Sequence, residues 1–305
     1  MKKTEKKKIN KSKIVVLLIF FMLIGALGAG SIYFSNLYSK MEQINLDKDN
    51  LGANEKDNSI KNIALFGVDT EYEIGRSDAI MILTLDNKHN KIKLTSIMRD
   101  SYVEIPGRDE LDKINHAYAY GGPELAIQTL NHNFDLDITE FVAVKMSELP
   151  KIIDKLGGVD INITQEEIEL NTIKGVTTPG VHTLNGNQVM AYSRIRYATG
   201  DDAKRTERHR TVMNAIFEKL RYTSITEYPS IISELLPMVQ TNISATEILS
   251  LATSSVKLLP KGIEQNRFPS DDDMINKKIN GVYYLDFDKA VVKQKLYDYI
   301  YEDKK

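Results

Sequence analysis

Runs of apolar residues along the chain predict alternating strands and helices from about residue 60 to residue 165. Five segments are continuously apolar or alternate between apolar and polar positions, which is typical of β-strands. The predicted strands are Lys61–Val68, Ala79–Leu85, Lys91–Ile97, Phe141–Lys145 and Val159–Ile163. Apolar residues have helical spacing in 123–133 and 147–156, and Gly157-Gly158 follows as a C-terminal cap. The alternation predicts a layered α/β sandwich.

Beyond Asn185 the pattern is mostly helical. The sequence Ser244-Ala245-Thr246-Glu247 has the spacing of a capping box, and it predicts a helix that ends near Leu259. We therefore expect the carboxyl-terminal part of the chain, residues 222–305, to be helical.

The first 34 residues have a different pattern. Residues 2–13 contain seven lysines and one glutamate, and residues 14–34 form an uncharged run of twenty-one residues. That length crosses a hydrocarbon core of about 30 Å at ~1.5 Å per residue. The alternative is a cleaved signal peptide, but the run exceeds the ~7–15 apolar residues typical of one. We predict a cytoplasmic tail at 1–13, a transmembrane anchor at 14–34 and an extracellular carboxyl-terminal part.

Composition restricts the function classes. The sequence has no cysteine, so no disulfide stabilises the exported part. The formal net charge is −2, and removing the +6 of the tail leaves −8 for the rest. An acidic exported domain argues against binding to nucleic acid. The polar residues 35–58 predict an extracellular linker, which leaves 59–305 for one large domain.

Carboxylates and an arginine are predicted at neighbouring strand ends. Asp69 follows the first strand, Asp78 precedes the second, and Arg99-Asp100 follows the third. Two carboxylates on one loop can bind a hard cation such as Mg²⁺, or Mn²⁺, and leave coordination positions for phosphate oxygens. Arg76, in the same loop, supplies a guanidinium that suits phosphate.

Half of the ten arginines lie in one stretch, residues 191–210, although the chain uses lysine three times as often. Arg194 and Arg196 flank one residue, so an extended backbone would place both on one side. Arg205, Arg208 and His209 have the i, i+3, i+4 spacing of one helix face. This arrangement predicts a site for an anion. The alternative is a solvated basic face neutralised by nearby acidic side chains.

The ordered motifs resemble those of the LytR-CpsA-Psr family. They are "IALFGVD", "GRSDAIMILTLD", "KIKLTSIMRDSYVEIPG", "KINHAYAYGG", "KLGGVDI", "LNGNQVMAYSRIRY" and "RTERHR", and the resemblance covers roughly residues 59–221. The resemblance implies an extracellular α/β domain on a single amino-terminal helix. It also implies transfer of an anionic glycopolymer, such as wall teichoic acid or capsule, from a polyprenyl pyrophosphate carrier to peptidoglycan, assisted by Mg²⁺.

The resemblance also implies roles for individual residues. Asp69 and Asp78 match the metal-site aspartates, and Arg99, Arg194, Arg196 and Arg205 match positions that hold the pyrophosphate. The reasoning from the residues themselves adds four more positions to the predicted pyrophosphate-binding set. They are Arg76, Arg208, His209 and Lys113. The predicted catalytic set is Arg99, Asp100, Arg194 and Arg196.

Two departures from the family pattern concern the arginine stretch. His209 stands where the family usually has glutamine, and the loop before Arg205 is one residue longer, so either Asp201 or Asp202 takes the family position.

The proton acceptor is either Asp100 or a water on the metal. A hydrolase acting on the same donor and a non-enzymatic binding or regulatory protein remain as alternative functions. His116 is expected to pack beside the site.

Overall fold

The computed structural model describes residues 35–36, 38–69, 75–170, 172–195, 236–258 and 263–304, and seven single positions from 208 to 233. The chain divides into two compact units. One unit contains the described residues from Ser147 to Leu235, and the other contains those before and after this segment. The predicted anchor at 14–34 lies outside the described residues. Within the described part, no helix combines the length and apolar character that crossing a bilayer requires.

The larger unit is built on a mixed seven-stranded sheet. Its strands are β1 Glu42–Gln43, β2 Ile60–Asp69, β3 Arg76–Asp86, β4 Lys91–Ile97, β7 Glu140–Lys145, β10 Val239–Thr241 and β11 Ile263–Phe268. They lie in the order β1-β10-β7-β2-β3-β4-β11. The pairs β2–β3, β3–β4 and β7–β10 are antiparallel, and β2–β7, β1–β10 and β4–β11 are parallel. The prediction of an α/β fold is confirmed, as a mixed sheet with helices.

Helices pack against this sheet, and the buried side chains between them form the hydrophobic core. Alternate residues of β2 and β3, such as Phe66 and Ile82, lie in one buried cluster with α1 (His116–Phe134) and α6 (Lys289–Tyr301). The intervening residues Ile63 and Leu83 are also buried, and α5 (Ala245–Leu258) contacts β3 and β4. Burial on both faces explains why the central strands read as nearly continuous apolar runs.

Several boundaries of helices and strands agree with local sequence signals. The Ser244–Glu247 capping box is present, with Glu247 N donating to Ser244 Oγ and Ser244 N donating to the Glu247 carboxylate. The predicted strands at 91–97 and 159–163 coincide with β4 and with β8 (Val159–Ile163). Gly157 and Gly158 have the positive φ angles of 72° and 86° that suit a helix C-terminus.

The prediction of a helical carboxyl-terminal part is wrong between residues 263 and 286. This segment contains β11 and a hairpin of β12 (Ile275–Ile279) and β13 (Val282–Asp286). Asn280-Gly281 connects the hairpin strands with φ angles of 51° and 81°. Asn-Gly between two strand-like runs is a strong hairpin signal. The polar composition of β12 hid it, because its residues are largely exposed and give no apolar alternation.

Part of the segment predicted as a linker is packed against the sheet. Glu42–Gln43 pairs with β10, and Leu51 is fully buried in the core. Asn131 Nδ2 donates to the Leu51 carbonyl at 2.9 Å, and Asn54 N donates to the Leu136 carbonyl at 3.3 Å. The polar composition that predicted a linker does not reveal these backbone bonds.

The described ranges 147–170 and 172–195 of the smaller unit contain a two-stranded antiparallel ladder and three short helices. β8 pairs with β9 (Gly180–Leu184). The helices are α2 (Leu149–Lys155), α3 (Gln165–Glu169) and α4 (Gly186–Ser193). A capping box opens α3 at Thr164 and Glu167, and another opens α4 at Asn185 and Gln188. The larger unit also has a short pair, β5 (Tyr102–Val103) with β6 (Asp112–Lys113).

Candidate active site

A bulge in β3 presents Asp78 beside the end of β2. Asp69 is opposite Arg76 and Val68 is opposite Ser77, but Gly67 is opposite Ala79, so Asp78 has no counterpart on β2. An extra residue of this kind bends a strand and redirects a side chain, and such bulges are common next to active sites. Gly75 permits the close approach, because a Cβ there would lie 2.5 Å from the Asp69 carbonyl oxygen.

The turn after β4 buries Arg99 between two carboxylates. One terminal nitrogen of Arg99 lies 3.0 Å from Asp78 Oδ1, and its Nε lies 3.4 Å from Asp100 Oδ2. The Arg99 residue is 3% exposed and Asp100 is 8% exposed. A buried charge of this kind is tolerated only when opposite charges lie close to it.

Lys113 forms the charged group of the site together with Asp78, Arg99 and Asp100. Its Nζ lies 2.7 Å from Asp100 Oδ1, so Asp78 and Asp100 are balanced by Arg99 and Lys113. Backbone bonds fix this turn from two sides, because Ile114 N donates to the Ser101 carbonyl and Leu285 N donates to the Asp100 carbonyl, both at 2.9 Å. The structure therefore brings four of the predicted site residues together on rigid elements.

Buried polar atoms without hydrogen bonds concentrate here. Seven such side-chain atoms occur among the described residues, and five of them belong to four residues around the turn. The five atoms are Ser77 Oγ, Arg99 Nε, one terminal Arg99 nitrogen, Ser101 Oγ and Asn115 Oδ1. The two Arg99 nitrogens are close to carboxylates, but their N–H groups are not aligned with them. Unpaired buried groups are costly and call for a ligand or a functional reason.

A second polar cluster lies at the start of α1. Asp112 Oδ2 accepts from Tyr120 Oη at 2.7 Å and is 2.8 Å from His116 Nδ1. Burial alone would raise the pKa of Asp112, but the hydrogen bonds from Tyr120, His116 and the Lys113 backbone lower it. The hydrogen bond to Asp112, aided by burial, raises the pKa of Tyr120. The Arg108 guanidinium lies 4.0 Å from the centre of the Tyr120 ring. His116 thus packs against Tyr120 and pairs with Asp112, the residue before Lys113.

The residues present suit a hard cation. No group of three or more histidine, aspartate or glutamate side chains in the described part of the chain is placed to hold a metal. However, Mg²⁺ commonly takes only one or two carboxylates and fills its other positions with water and substrate phosphate. The Asp78 carboxylate and the unpaired Asn115 Oδ1 supply oxygen atoms of the required kind. These oxygen atoms suit such an ion, and the metal-binding role of Asp69 and Asp78 stays a prediction.

The arginine stretch belongs to the smaller unit, and the structure describes two of its predicted site residues. Arg194 caps the C-terminus of α4, with its backbone N–H directed at the Met190 and Ala191 carbonyls, and its side chain is exposed. Arg196, Arg205 and His209 lie outside the described residues, as do Asp201 and Asp202. Their predicted roles stay predictions.

Arg208 is engaged inside its own unit. It is 3% exposed, its Nε donates to Glu167 Oε1 at 2.8 Å and a terminal nitrogen donates to the Ile195 carbonyl at 3.3 Å. The same glutamate closes the capping box of α3 through its other oxygen. This geometry gives Arg208 a packing role and argues against a direct contact with pyrophosphate. Helical spacing grouped Arg208 with Arg205, because spacing does not distinguish the inner face of a helix from the outer.

Sequence reasoning missed Asn115, which joins the charged group. Its Nδ2 donates to Asp78 Oδ1 at 3.3 Å, and its backbone N–H donates to the Arg99 carbonyl at 3.3 Å. The sequence signal that could have identified Asn115 is its position two residues after Lys113 in "DKINHAY", immediately before a helix.

Comparison with known proteins identifies the family of this chain. Residues 31–299 match the LytR_cpsA_psr family. The polyisoprenyl-teichoic acid–peptidoglycan teichoic acid transferase TagU of Bacillus cereus is 31% identical over 284 residues, which cover 87% of this chain and 91% of the relative. A solved structure of TagT bound to LI-WTA is 27% identical with a TM-score of 0.59, covering 81% of this chain and 94% of that one. A structure of the LytR-CPS2A-psr family protein YwtF (TagT) with bound octaprenyl pyrophosphate lipid is 25% identical with a TM-score of 0.54, covering 81% and 93%. The chain described here therefore belongs to the LytR-CpsA-Psr family.

Proposed function

We propose that this protein transfers an anionic glycopolymer from a polyprenyl pyrophosphate carrier to peptidoglycan. The relatives support the proposal, since TagU is named for transfer of teichoic acid to peptidoglycan and TagT is seen with LI-WTA and with octaprenyl pyrophosphate. The wall teichoic acid or capsular type of polymer suits the predicted arginine-rich stretch as well as the family.

The observation that carries the proposal is the arrangement of Arg99. Its guanidinium is buried, and two of its nitrogens have no aligned hydrogen-bond acceptor among the described residues. A phosphate oxygen is the acceptor that a planar guanidinium binds best. Asp78 and Asp100 hold this guanidinium in place before substrate arrives, and Lys113 in turn holds Asp100. This reduces the reorganisation needed in the transition state.

The reaction is a displacement at phosphorus. A sugar hydroxyl of peptidoglycan attacks the phosphorus that carries the glycopolymer, and the bond from this phosphorus to the bridging oxygen breaks. Polyprenyl phosphate leaves, and the hydroxyl proton passes to a base. Arg99 and Lys113 stabilise the negative charge that spreads over the phosphoryl oxygens. Both Asp100 oxygens are within 3.4 Å of a cationic side chain, so Asp100 is better suited to positioning Arg99 and Lys113 than to accepting this proton.

A divalent cation, Mg²⁺ or Mn²⁺, belongs to the same proposal. Asp69 and Asp78 would hold it, and it would neutralise phosphate charge when bound. We also propose that residues 14–34 anchor the protein in the cytoplasmic membrane with the enzyme domain outside the cell. The lipid-linked donor would be present in the same bilayer.

The test uses full-length protein in detergent, Mg²⁺, a synthetic lipid-linked donor and peptidoglycan oligomers. We expect polyprenyl phosphate and glycan-modified oligomers in equal amounts. Donor consumption without modified oligomers would show a hydrolase. Binding of the donor with no product of either kind would show a binding or regulatory protein.

A further inference from the structure

Asn115 stands at the start of α1, but its side chain makes no capping bond to the helix. Its φ of −68° and ψ of −18° are helical, whereas a capping residue normally has an extended backbone. The Asn115 side chain is therefore available to another group.

The Asn115 amide is directed instead at the charged group. Its Nδ2 donates to Asp78 Oδ1 at 3.3 Å. An ionised carboxylate only accepts hydrogen bonds, so the NH₂ group must face Asp78 and the amide orientation is determined. The Oδ1 atom is then left to accept from a different donor.

This Oδ1 atom has no partner among the described residues, although Asn115 is only 4% exposed. A buried acceptor without a donor is destabilising. A bound group that donates to Oδ1 would remove this cost.

We propose that Asn115 is a positioning residue for the divalent cation of the site. Its NH₂ group orients Asp78, and its Oδ1 accepts a hydrogen bond from the hydration shell of the ion. Mg²⁺ and Mn²⁺ keep several waters when few protein carboxylates bind them. Partners of this kind orient the ligands and commonly change metal affinity by 10- to 100-fold. The inference rests on the proposed cation site and not on the transfer reaction.

Binding of Mn²⁺ to the full-length protein in detergent tests the proposal, measured by electron paramagnetic resonance without donor or acceptor. We expect Asn115→Ala to weaken Mn²⁺ binding about 10- to 100-fold. The metal-free form should melt only slightly below the wild type, because the one side-chain hydrogen bond it loses is the 3.3 Å bond from Nδ2 to Asp78. Equal Mn²⁺ affinity in both proteins, or no Mn²⁺ binding by the wild type, would overturn the proposal.

Asn62→Ala is the matched control. Asn62 is equally buried, but its amide is fully used by Asp137, Tyr301 and Thr84. This variant should melt at a lower temperature and bind Mn²⁺ normally. Asn115→Asp provides a second measurement if Asn115→Ala does not fold. A second carboxylate beside Asp78 should lower the metal-free melting temperature, and Mn²⁺ should raise it by more than it raises that of the wild type. An equal or smaller rise would also overturn the proposal. A wild type that binds Mn²⁺ but transfers no glycan would contradict the proposed function alone.

Discussion

Single side chains in this protein separate into those that hold the fold and those available to a ligand, and the distinction depends on where their polar atoms are directed. Arg208 has aligned acceptors in Glu167 and the Ile195 carbonyl. Arg99 is as deeply buried, but two of its nitrogens have no aligned acceptor among the residues described. The same residue type therefore has different roles in the two units.

Replacing Arg99 with lysine tests the pyrophosphate contact. Arg99→Lys keeps the charge but loses the planar fork, so at least one charge-assisted hydrogen bond, worth about 1.5–3 kcal/mol, should be lost. Binding of a polyprenyl pyrophosphate analogue should weaken at least about tenfold in isothermal titration. Arg267→Lys is the control, because Arg267 pairs with the exposed Asp271 and has no part in the charged group. Unchanged affinity in Arg99→Lys would contradict the assignment.

Removing the partner of Arg208 tests its packing role. Glu167→Ala leaves a buried guanidinium without its carboxylate and should lower the free energy of unfolding by about 3–5 kcal/mol. Urea unfolding followed by circular dichroism measures this change. Thr164→Ala, which removes only the cap of α3, should cost about 1 kcal/mol. If Glu167→Ala is as stable as the wild type but binds pyrophosphate poorly, Arg208 contacts substrate as the sequence first predicted.

Elements that bury an apolar face could be predicted from sequence, and those stabilised by backbone pairing or turns could not. β2, β3 and β4 were predicted because their side chains form the core. The β12–β13 hairpin was missed because it is largely exposed, although its Asn-Gly turn was a readable signal. Asp69, Asp78, Arg99 and Asp100 were identifiable at strand ends, whereas Asn115 could not be assigned, because an unpaired oxygen is a property of three-dimensional packing.

The turn between β2 and β3 depends on a residue without a side chain. Gly75→Ala would place a Cβ 2.5 Å from the Asp69 carbonyl oxygen and 2.7 Å from Val68 Cγ1, so the backbone at Asp69 must move. We expect Mn²⁺ binding and transfer to fall by at least tenfold, with about 1–3 kcal/mol of destabilisation. Gly52→Ala is matched in destabilisation, because its φ of +62° strains alanine, but nothing lies within 4 Å of the added Cβ. Equal Mn²⁺ affinities in the two variants would show that the turn does not position Asp69.

Across the whole molecule, paired carboxylates should make stability depend on pH. Burial alone would raise the pKa of Asp286, but hydrogen bonds from Lys289 and Lys277 outweigh it and lower the pKa from 3.8 to about 2. Hydrogen bonds likewise lower the pKa of Asp273, despite a smaller opposing effect of burial. A carboxylate with a depressed folded-state pKa contributes stability above its unfolded pKa, and this contribution is lost as pH falls through the folded value.

Asp286→Asn should therefore lower the urea midpoint at pH 7, and the difference from the wild type should shrink between about pH 4 and pH 2. Urea titrations at pH 7, 4 and 2 measure it. Asp272→Asn serves as the control, since Asp272 is exposed and should have little effect at any of these values. A difference that stays constant down to pH 2 would mean that the lysine contacts do not depend on the Asp286 charge.

Pairing of β1 at the sheet edge limits the distance between the enzyme domain and the proposed membrane anchor. Only residues 35–41 separate the proposed membrane anchor, which ends at residue 34, from Glu42 in β1. Seven residues span at most about 25 Å when fully extended. With the proposed anchor in place, the domain would stay within this distance of the outer surface of the bilayer. A donor held in the bilayer by a polyprenyl chain would always be within reach, whereas peptidoglycan would be in reach only where its strands lie close to the membrane. New polymer would therefore enter the wall at its innermost layer.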